Sequence, residues 1–252
     1  MHALSVLAHP SPLSFNAALA GMAAAGCEQA GHQVRVTDLY AERFEARLDR
    51  DDMGGNAPEG YFNVGREQAR AWRKGTLAAD IAAQIEHLRW AELVILQFPL
   101  WWYGPPAILK GWMDRVFLPG FSYGSENWFE TGGLAGKKAM LSITSSVTDE
   151  PYMSDGRFGE LDVTLWPLHV SLRYVGFDVL APFITFDVES SDQGRRAIVD
   201  RLRHRMAGIA SERPLFFHRH EEFGADHRLL PGIKGRTVAQ RGTGRQRSKG
   251  QS

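Results

Sequence analysis

The chain has 252 residues, 44% hydrophobic and 23% charged, and its 29 basic and 29 acidic side chains cancel. A neutral balance leaves no global field to draw in nucleic acid or an anionic membrane, and no run of about 18 apolar residues suggests a membrane span. The single cysteine, Cys27, excludes an internal disulfide and a cysteine-rich metal site, and the start, Met1-His2-Ala3-Leu4, lacks the basic region of a signal peptide, so a cytoplasmic location is expected.

Leu4–Ala8 reads as a first buried strand. His9-Pro10-Ser11-Pro12-Leu13 is too rich in proline for a helix, and Ser14 is placed to cap the helix that follows. That helix carries Phe15, Leu19, Met22 and Ala23 on one face and stops near Gly31. Val34–Leu39 alternates apolar with polar residues, the pattern of a strand nearer an edge. Residues 41–75 are charged and glycine-rich around Asp51-Asp52-Met53-Gly54-Gly55, which predicts a long surface excursion with the two aspartates in a solvated turn.

Ala78–Leu88 has helical periodicity and feeds Leu93–Phe98, an apolar run suited to a strand buried on both faces. A helix over Pro105–Phe117 turns Ile108, Leu109, Trp112, Met113 and Val116 inward, leaves Lys110 and Arg115 exposed, and places its prolines where a first turn tolerates them. Ala139–Thr144 is a fourth strand, and Leu161, Leu165, Leu168 and Leu172 mark a helix that Pro167 is expected to kink. Val179–Phe186 is a fifth strand confined to an edge by Pro182, and Ile198–Ile209 is a last helix. Trp112, Trp166 and Cys27 read as packing residues.

Strands alternating with helices predict an α/β fold, a doubly wound five-stranded parallel sheet over residues 1–217, with a C-terminal extension over residues 218–252. From Lys234 onward the extension holds six basic residues (Lys234, Arg236, Arg241, Arg245, Arg247, Lys249) and no acidic one. It has nothing to bury and is expected to be partly disordered.

Open parallel sheets bind ligands at the carboxyl ends of their strands, where strand order reverses. His9–Asn16, Pro99–Gly104, Thr144–Tyr152 and the loop after the fifth strand should converge there. The first offers the hydroxyls of Ser11 and Ser14 and the amides of a helix start, a combination suited to phosphate. The second offers Trp101, Trp102 and Tyr103, a platform for a flat ring. A flavin nucleotide fits both. Competing motifs fail on context: no G-x-G-x-x-G follows a strand, Gly132–Lys138 lacks the hydroxyl residue and the strand-first order of a P-loop, no paired histidines sit at zinc-binding spacing on a helix, and no G-x-S-x-G follows a strand.

Val6-Leu7-Ala8-His9 with Ser14-Phe15-Asn16, Gln97-Phe98-Pro99-Leu100 with Trp102, and Pro106-Ala107-Ile108-Leu109-Lys110-Gly111-Trp112 together resemble the NAD(P)H:quinone oxidoreductase family, the DT-diaphorase-like flavoproteins. Leu141–Thr144, Leu165-Trp166-Pro167, Gly176-Phe177 and Pro214-Leu215 continue the resemblance over roughly residues 2–217. It implies a flavodoxin-like fold, a homodimer, bound FAD in preference to FMN, and ping-pong two-electron reduction of quinones by NAD(P)H. Carried onto this chain, His9, Ser14, Phe15 and Asn16 would hold the pyrophosphate region. Pro99, Leu100, Trp101, Trp102 and Tyr103 would line the isoalloxazine, Thr144, Ser145, Ser146 and Val147 its polar edge, and Arg195 the adenine half. Trp102, Tyr123 and Trp128 would wall the slot for nicotinamide and quinone, and Tyr152 would act as the catalytic hydrogen-bond donor.

Two departures stand out. Animal members pair the tyrosine with a histidine where this chain has Phe158, so that relay is either absent or rebuilt with Arg157 or His169, and the glycines of the loop after the fourth strand are Ser146 and Val147. The alternatives are an azo- or nitroaromatic reductase using FMN or FAD, and a catalytically weak regulatory subunit of an ion-efflux system.

Overall fold

In the computed structural model, which describes residues 1–55, 60–188 and 191–235, β1 (His2–Leu7) lies between β2 (Gln33–Asp38) and β3 (Leu93–Pro99), and β4 (Lys138–Thr144) follows β3. β5 (Asp178–Val179) and β6 (Phe183–Thr185) both pair with β4. The expected fifth strand is thus present as two short pieces either side of Pro182, which has no amide proton to give a continuous ladder. Every pairing is parallel. The chain runs from β1 outward to β2 and returns across β1 to β3, so strand order reverses between β1 and β3. The crevice outside their carboxyl ends is the position at which such sheets bind ligands.

Among the described residues six α-helices cover the sheet: α1 (Phe15–Gln29), α2 (Val64–Lys74), α3 (Ala79–Trp90), α4 (Ala107–Val116), α5 (Leu161–Tyr174) and α6 (Asp192–Gly208). On one face Leu19, Ala23 and Cys27 of α1 and Leu202 and Met206 of α6 pack on Ala3, Leu93 and Ile95. On the other, Ile81 and Ile85 of α3, Leu109 and Trp112 of α4 and Leu165 and Leu172 of α5 pack on Leu4, Val94 and Leu96. With a layer on each side, every residue of β3 is buried. α1 and α6 meet at Gly26, where a Cβ would stand 2.9 Å from that of Met206. Burial pushes the Cys27 thiol up to about 11, so it packs as an inert small side chain.

The structure corrects the reading of residues 41–75. Asp49 caps a single turn over Arg50–Met53, α2 follows with Asn63 as its cap, and Asp52, Met53, Gln68 and Ala71 are buried. Asp52 is therefore no solvated aspartate, and Arg115 is not exposed on its helix. The Arg115 guanidinium is 2% exposed, donates to Asp52 Oδ1 at 2.8 Å and to Asp80 Oδ2 at 2.5 Å, and also donates to the carbonyl of Glu45 at 2.8 Å. Charge count alone could not reveal this, because both carboxylates are distant in sequence from the arginine. Lys110 stays exposed and pairs with Asp114.

α6 begins earlier than its apolar periodicity indicated, because Ser191 caps it by accepting from the Gly194 amide at 3.0 Å. Beyond residue 217, a turn at His220–Glu222 and a bridge between Phe223 and Leu229 fold the described part of the extension back on itself. The basic residues from Arg236 to Lys249 lie outside the described residues. No helix among the described residues is long and apolar enough to cross a membrane.

Candidate active site

The loop after β1 is held by bonds it makes to itself. The Ser11 amide donates to His9 Nδ1 at 3.0 Å, the Leu13 amide to Ser11 Oγ at 3.3 Å, and the Ser14 amide to the Ser11 carbonyl at 3.2 Å. His9 Nδ1 also lies 3.2 Å from the Ser11 carbonyl, so this ring nitrogen is engaged by the loop in either tautomer. Ser14 Oγ accepts from the Ala17 amide at 3.1 Å, which leaves the amides of Phe15 and Asn16 in the first turn of α1 for an anion at the helix N-terminus.

Asn16 ties that helix start to the sheet. Its buried side chain donates from Nδ2 to Thr144 Oγ1 at 2.9 Å and accepts at Oδ1 from Gln97 Nε2 at 2.8 Å. One amide thereby fixes α1 against the ends of β3 and β4.

The aromatic segment is a tight turn. The Leu100 amide donates to the Thr144 carbonyl at 2.9 Å, and Trp101 and Gly104 exchange both backbone bonds at 3.0 and 2.9 Å. The two residues between them, Trp102 and Tyr103, have φ of 50° and 63°. Left-handed backbone at a bulky residue costs about 1–3 kcal/mol each, and a turn of this kind ordinarily takes glycine or asparagine there. The strain is held by the ladder on either side, and it presents Trp102 97% exposed to solvent. Trp101, its neighbour, stands 6.0 Å from the His9 ring.

The third wall comes from the loop after β4. The Ser145 amide donates to the Thr185 carbonyl at 2.8 Å, and Ser145 Oγ accepts from the Val147 amide at 3.2 Å, so this hydroxyl shapes the loop. Arg195, in the first turn of α6, is oriented by the Val188 carbonyl at 3.2 Å and by Asp192. Together these segments enclose a cleft of about 600 Å³ lined by His9, Leu13, Ser14, Phe15, Asn16, Ala18, Pro99, Leu100, Trp101, Thr144, Ser145, Ser146, Val188 and Arg195.

Residues 1–207 match a family model of the flavodoxin-like fold. The chain is 41% identical over 216 residues to ribosyldihydronicotinamide dehydrogenase (quinone) of Mus musculus, covering 84% of this chain and 93% of that protein. The chain belongs to the NAD(P)H:quinone oxidoreductase family. A second relative, NAD(P)H dehydrogenase (quinone) 1 of Rattus norvegicus, is 36% identical over 218 residues, 85% of this chain and 80% of its own. A crystal structure from Klebsiella pneumoniae, assigned as a quinone reductase, superposes with a TM-score of 0.88 at 37% identity over 94% of this chain and 98% of that one.

Within this member of the quinone oxidoreductase family, the cleft gathers His9, Ser14, Phe15, Asn16, Pro99, Leu100, Trp101, Thr144, Ser145, Ser146 and Arg195. Trp102, Tyr103, Val147 and Tyr152 do not line it. Tyr152 ends a turn at Glu150–Tyr152 and sets its ring edge-to-face on Phe158 at 5.3 Å, and Phe158 in turn meets Tyr103 at 6.4 Å. Phe158 is a ring with no proton to give. Tyr123 and Trp128 come together elsewhere, both on Tyr174, at 5.4 and 5.8 Å. Burial, and then the neighbouring Tyr174, raise the Tyr123 pKa, so its hydroxyl stays protonated. Tyr123 lines a second cavity with Val64, Gln68 and Tyr174, Trp128 a third with Trp166 and Phe217, and Trp102 lines neither.

Tyr174 was missed in the sequence, where only its place one residue before Val175-Gly176-Phe177 at the end of α5 could have signalled it. Leu13 and Val188 fall in loops expected at the site but carry no motif of their own, and Ala18 gives no signal in the sequence.

The residues present fit a flavin nucleotide on their own chemistry. The cleft joins unpaired helix-start amides and a guanidinium, which suit phosphate, to an indole and a leucine beside hydroxyls, which suit a flat ring with one polar edge.

Proposed function

We propose that the chain is an FAD-dependent NAD(P)H dehydrogenase acting on quinones by a ping-pong, two-electron mechanism. The observation that carries this reading is the strained aromatic turn 101–104 set beside an anion-binding helix start at the strand-order reversal. Bound there, a flavin would supply the two-electron redox chemistry that links NAD(P)H to the quinone.

The protein's part is binding and orientation. The Phe15 and Asn16 amides and His9 hold the phosphates, and Arg195 reaches the adenine half. Pro99, Leu100 and Trp101 seat one ring surface, and Thr144, Ser145 and Ser146 offer polar groups to the ring's edge. Tyr152 donates a hydrogen bond to developing negative charge.

A homodimer explains why Trp102 is presented bare and why Tyr123 and Trp128 are gathered on another face. In it, Trp102 of one protomer and the partner's Tyr123 and Trp128 wall one slot, in which donor and acceptor are held in turn.

An absorption spectrum of the purified protein, with heat release and chromatography of the bound chromophore, tests the reading. Flavin bands bleached by NADH or NADPH and restored by a quinone are expected, with FAD released. A colourless protein that takes up neither flavin overturns the enzyme reading, and FMN as the sole bound flavin overturns the choice of FAD.

A further inference from the structure

Leu13 is a leucine that the fold leaves in water. It is 94% exposed, yet it is not on a loose loop: its own amide is bonded to Ser11 Oγ at 3.3 Å, and the next residue, Ser14, is bonded to the Ser11 carbonyl and caps α1. The isobutyl group therefore stands on a pinned segment at the rim of the cleft, which it lines together with Val188 and Arg195. None of these three has a part in seating a flat tricyclic ring, for which the cleft has Pro99, Leu100 and Trp101. The riboflavin phosphate portion is common to FMN and FAD and is satisfied by the ring wall and the helix start. Beyond those, the cleft still offers two aliphatic side chains and a planar cation.

Two aliphatic groups and a guanidinium are the chemistry of a purine site: apolar surface to cover the ring faces and a planar cation to stack or donate. A pinned backbone confines the ordering cost of binding to the side-chain rotamer, so much of the apolar burial appears in the affinity. We propose that Leu13 is the residue that selects the dinucleotide over the mononucleotide, by covering the adenine ring of FAD in company with Val188 and Arg195. The inference rests on the FAD reading and adds a specificity-determining residue to the same cleft.

The test uses full-length protein stripped of flavin and titrated separately with FAD, FMN and ADP, with flavin fluorescence reporting the first two and calorimetry the third. Leu13→Ser is expected to weaken FAD and ADP about tenfold, the scale set by re-exposing most of one leucine side chain, while FMN changes by less than about twofold. Leu13→Met should restore FAD binding. Unchanged FAD affinity in Leu13→Ser, or equal losses for FAD and FMN, overturns the role of Leu13. If the unsubstituted protein binds FMN as tightly as FAD, the FAD reading itself fails, a result distinct from either. Because Leu13 makes no buried contact, the melting temperature of both variants should match the parent, and a drop in it would also count against a role confined to the ligand.

Discussion

Arg115 and Asp52, far apart in sequence, form a two-pronged ion pair in the interior: Nη2 donates to Oδ1 at 2.8 Å and Nε to Oδ2 at 3.1 Å, with both side chains at most 5% exposed. The pair clamps the turn at Arg50–Met53 onto α4, the helix that follows the aromatic turn. Asp80 joins from the first turn of α3, and the two carboxylates hold the guanidinium's pKa above its ordinary value despite burial.

Breaking this pair from one side should be costly. Asp52→Asn leaves a buried guanidinium with less than its full countercharge, and a loss of about 3 kcal/mol in unfolding free energy is expected, measured by urea denaturation. Replacing both partners with apolar residues should recover much of that loss, since desolvation of the pair then disappears.

Asn16→Ala removes the amide between Gln97 and Thr144. A buried Gln97 Nε2 then lacks its acceptor, at a cost of about 1–3 kcal/mol. Because α1 loses its tie to β3 and β4, flavin affinity should fall as well. A variant that loses stability but binds flavin as the parent does would separate the network from the site.

His87 predicts an acid-side weakness. Burial, with the Arg35 charge second, lowers its pKa from 6.5, and its Nδ1 lies 3.1 Å from Thr37 Oγ1. The folded state therefore favours the neutral ring, while the unfolded chain takes up a proton near pH 6.5. Its contribution is fully present above pH 6.5 and declines as pH falls below it. His87→Gln should narrow the difference in melting temperature between pH 7.5 and 5.5 (two arbitrary readings on about either side of that value). An unchanged difference would count against it.

Tyr152 and Phe158 meet edge to face. Tyr152→Phe keeps that contact and removes only the hydroxyl, so stability should hardly change, while kcat for quinone reduction should fall about tenfold or more if the hydroxyl meets developing charge. Equal turnover in the variant would leave the tyrosine a packing residue.

Trp102→Ala deletes a side chain that touches solvent on nearly all sides, and replaces a strained tryptophan by a smaller residue at the same φ. The melting point of the separated protomer should therefore move little. Under the proposed assembly, dimer affinity and KM for quinone should both suffer, which sedimentation and steady-state kinetics would report.

Local order and pattern carried a large share of this molecule into view. Apolar runs at Leu4–Ala8, Leu93–Phe98 and Ala139–Thr144 could only be buried strands, Ser14 and Gly31 bracket α1, and three aromatics after a strand mark a platform, because each of these signals lies within a few residues. The family, too, was legible in contiguous motifs. What tertiary structure alone decided are matters of pairing across distance. Asp52 and Asp80 look like ordinary surface carboxylates until folding brings Arg115 between them. Asn16 looks like a phosphate-loop residue until its amide is seen spanning Gln97 and Thr144. Tyr123 and Trp128 carry no sign in their spacing of the Tyr174 ring on which both rest. A sequence records which side chains are available. Which charges are stripped of water, and which rings meet, depends on the packing of segments that the chain itself holds dozens of residues apart.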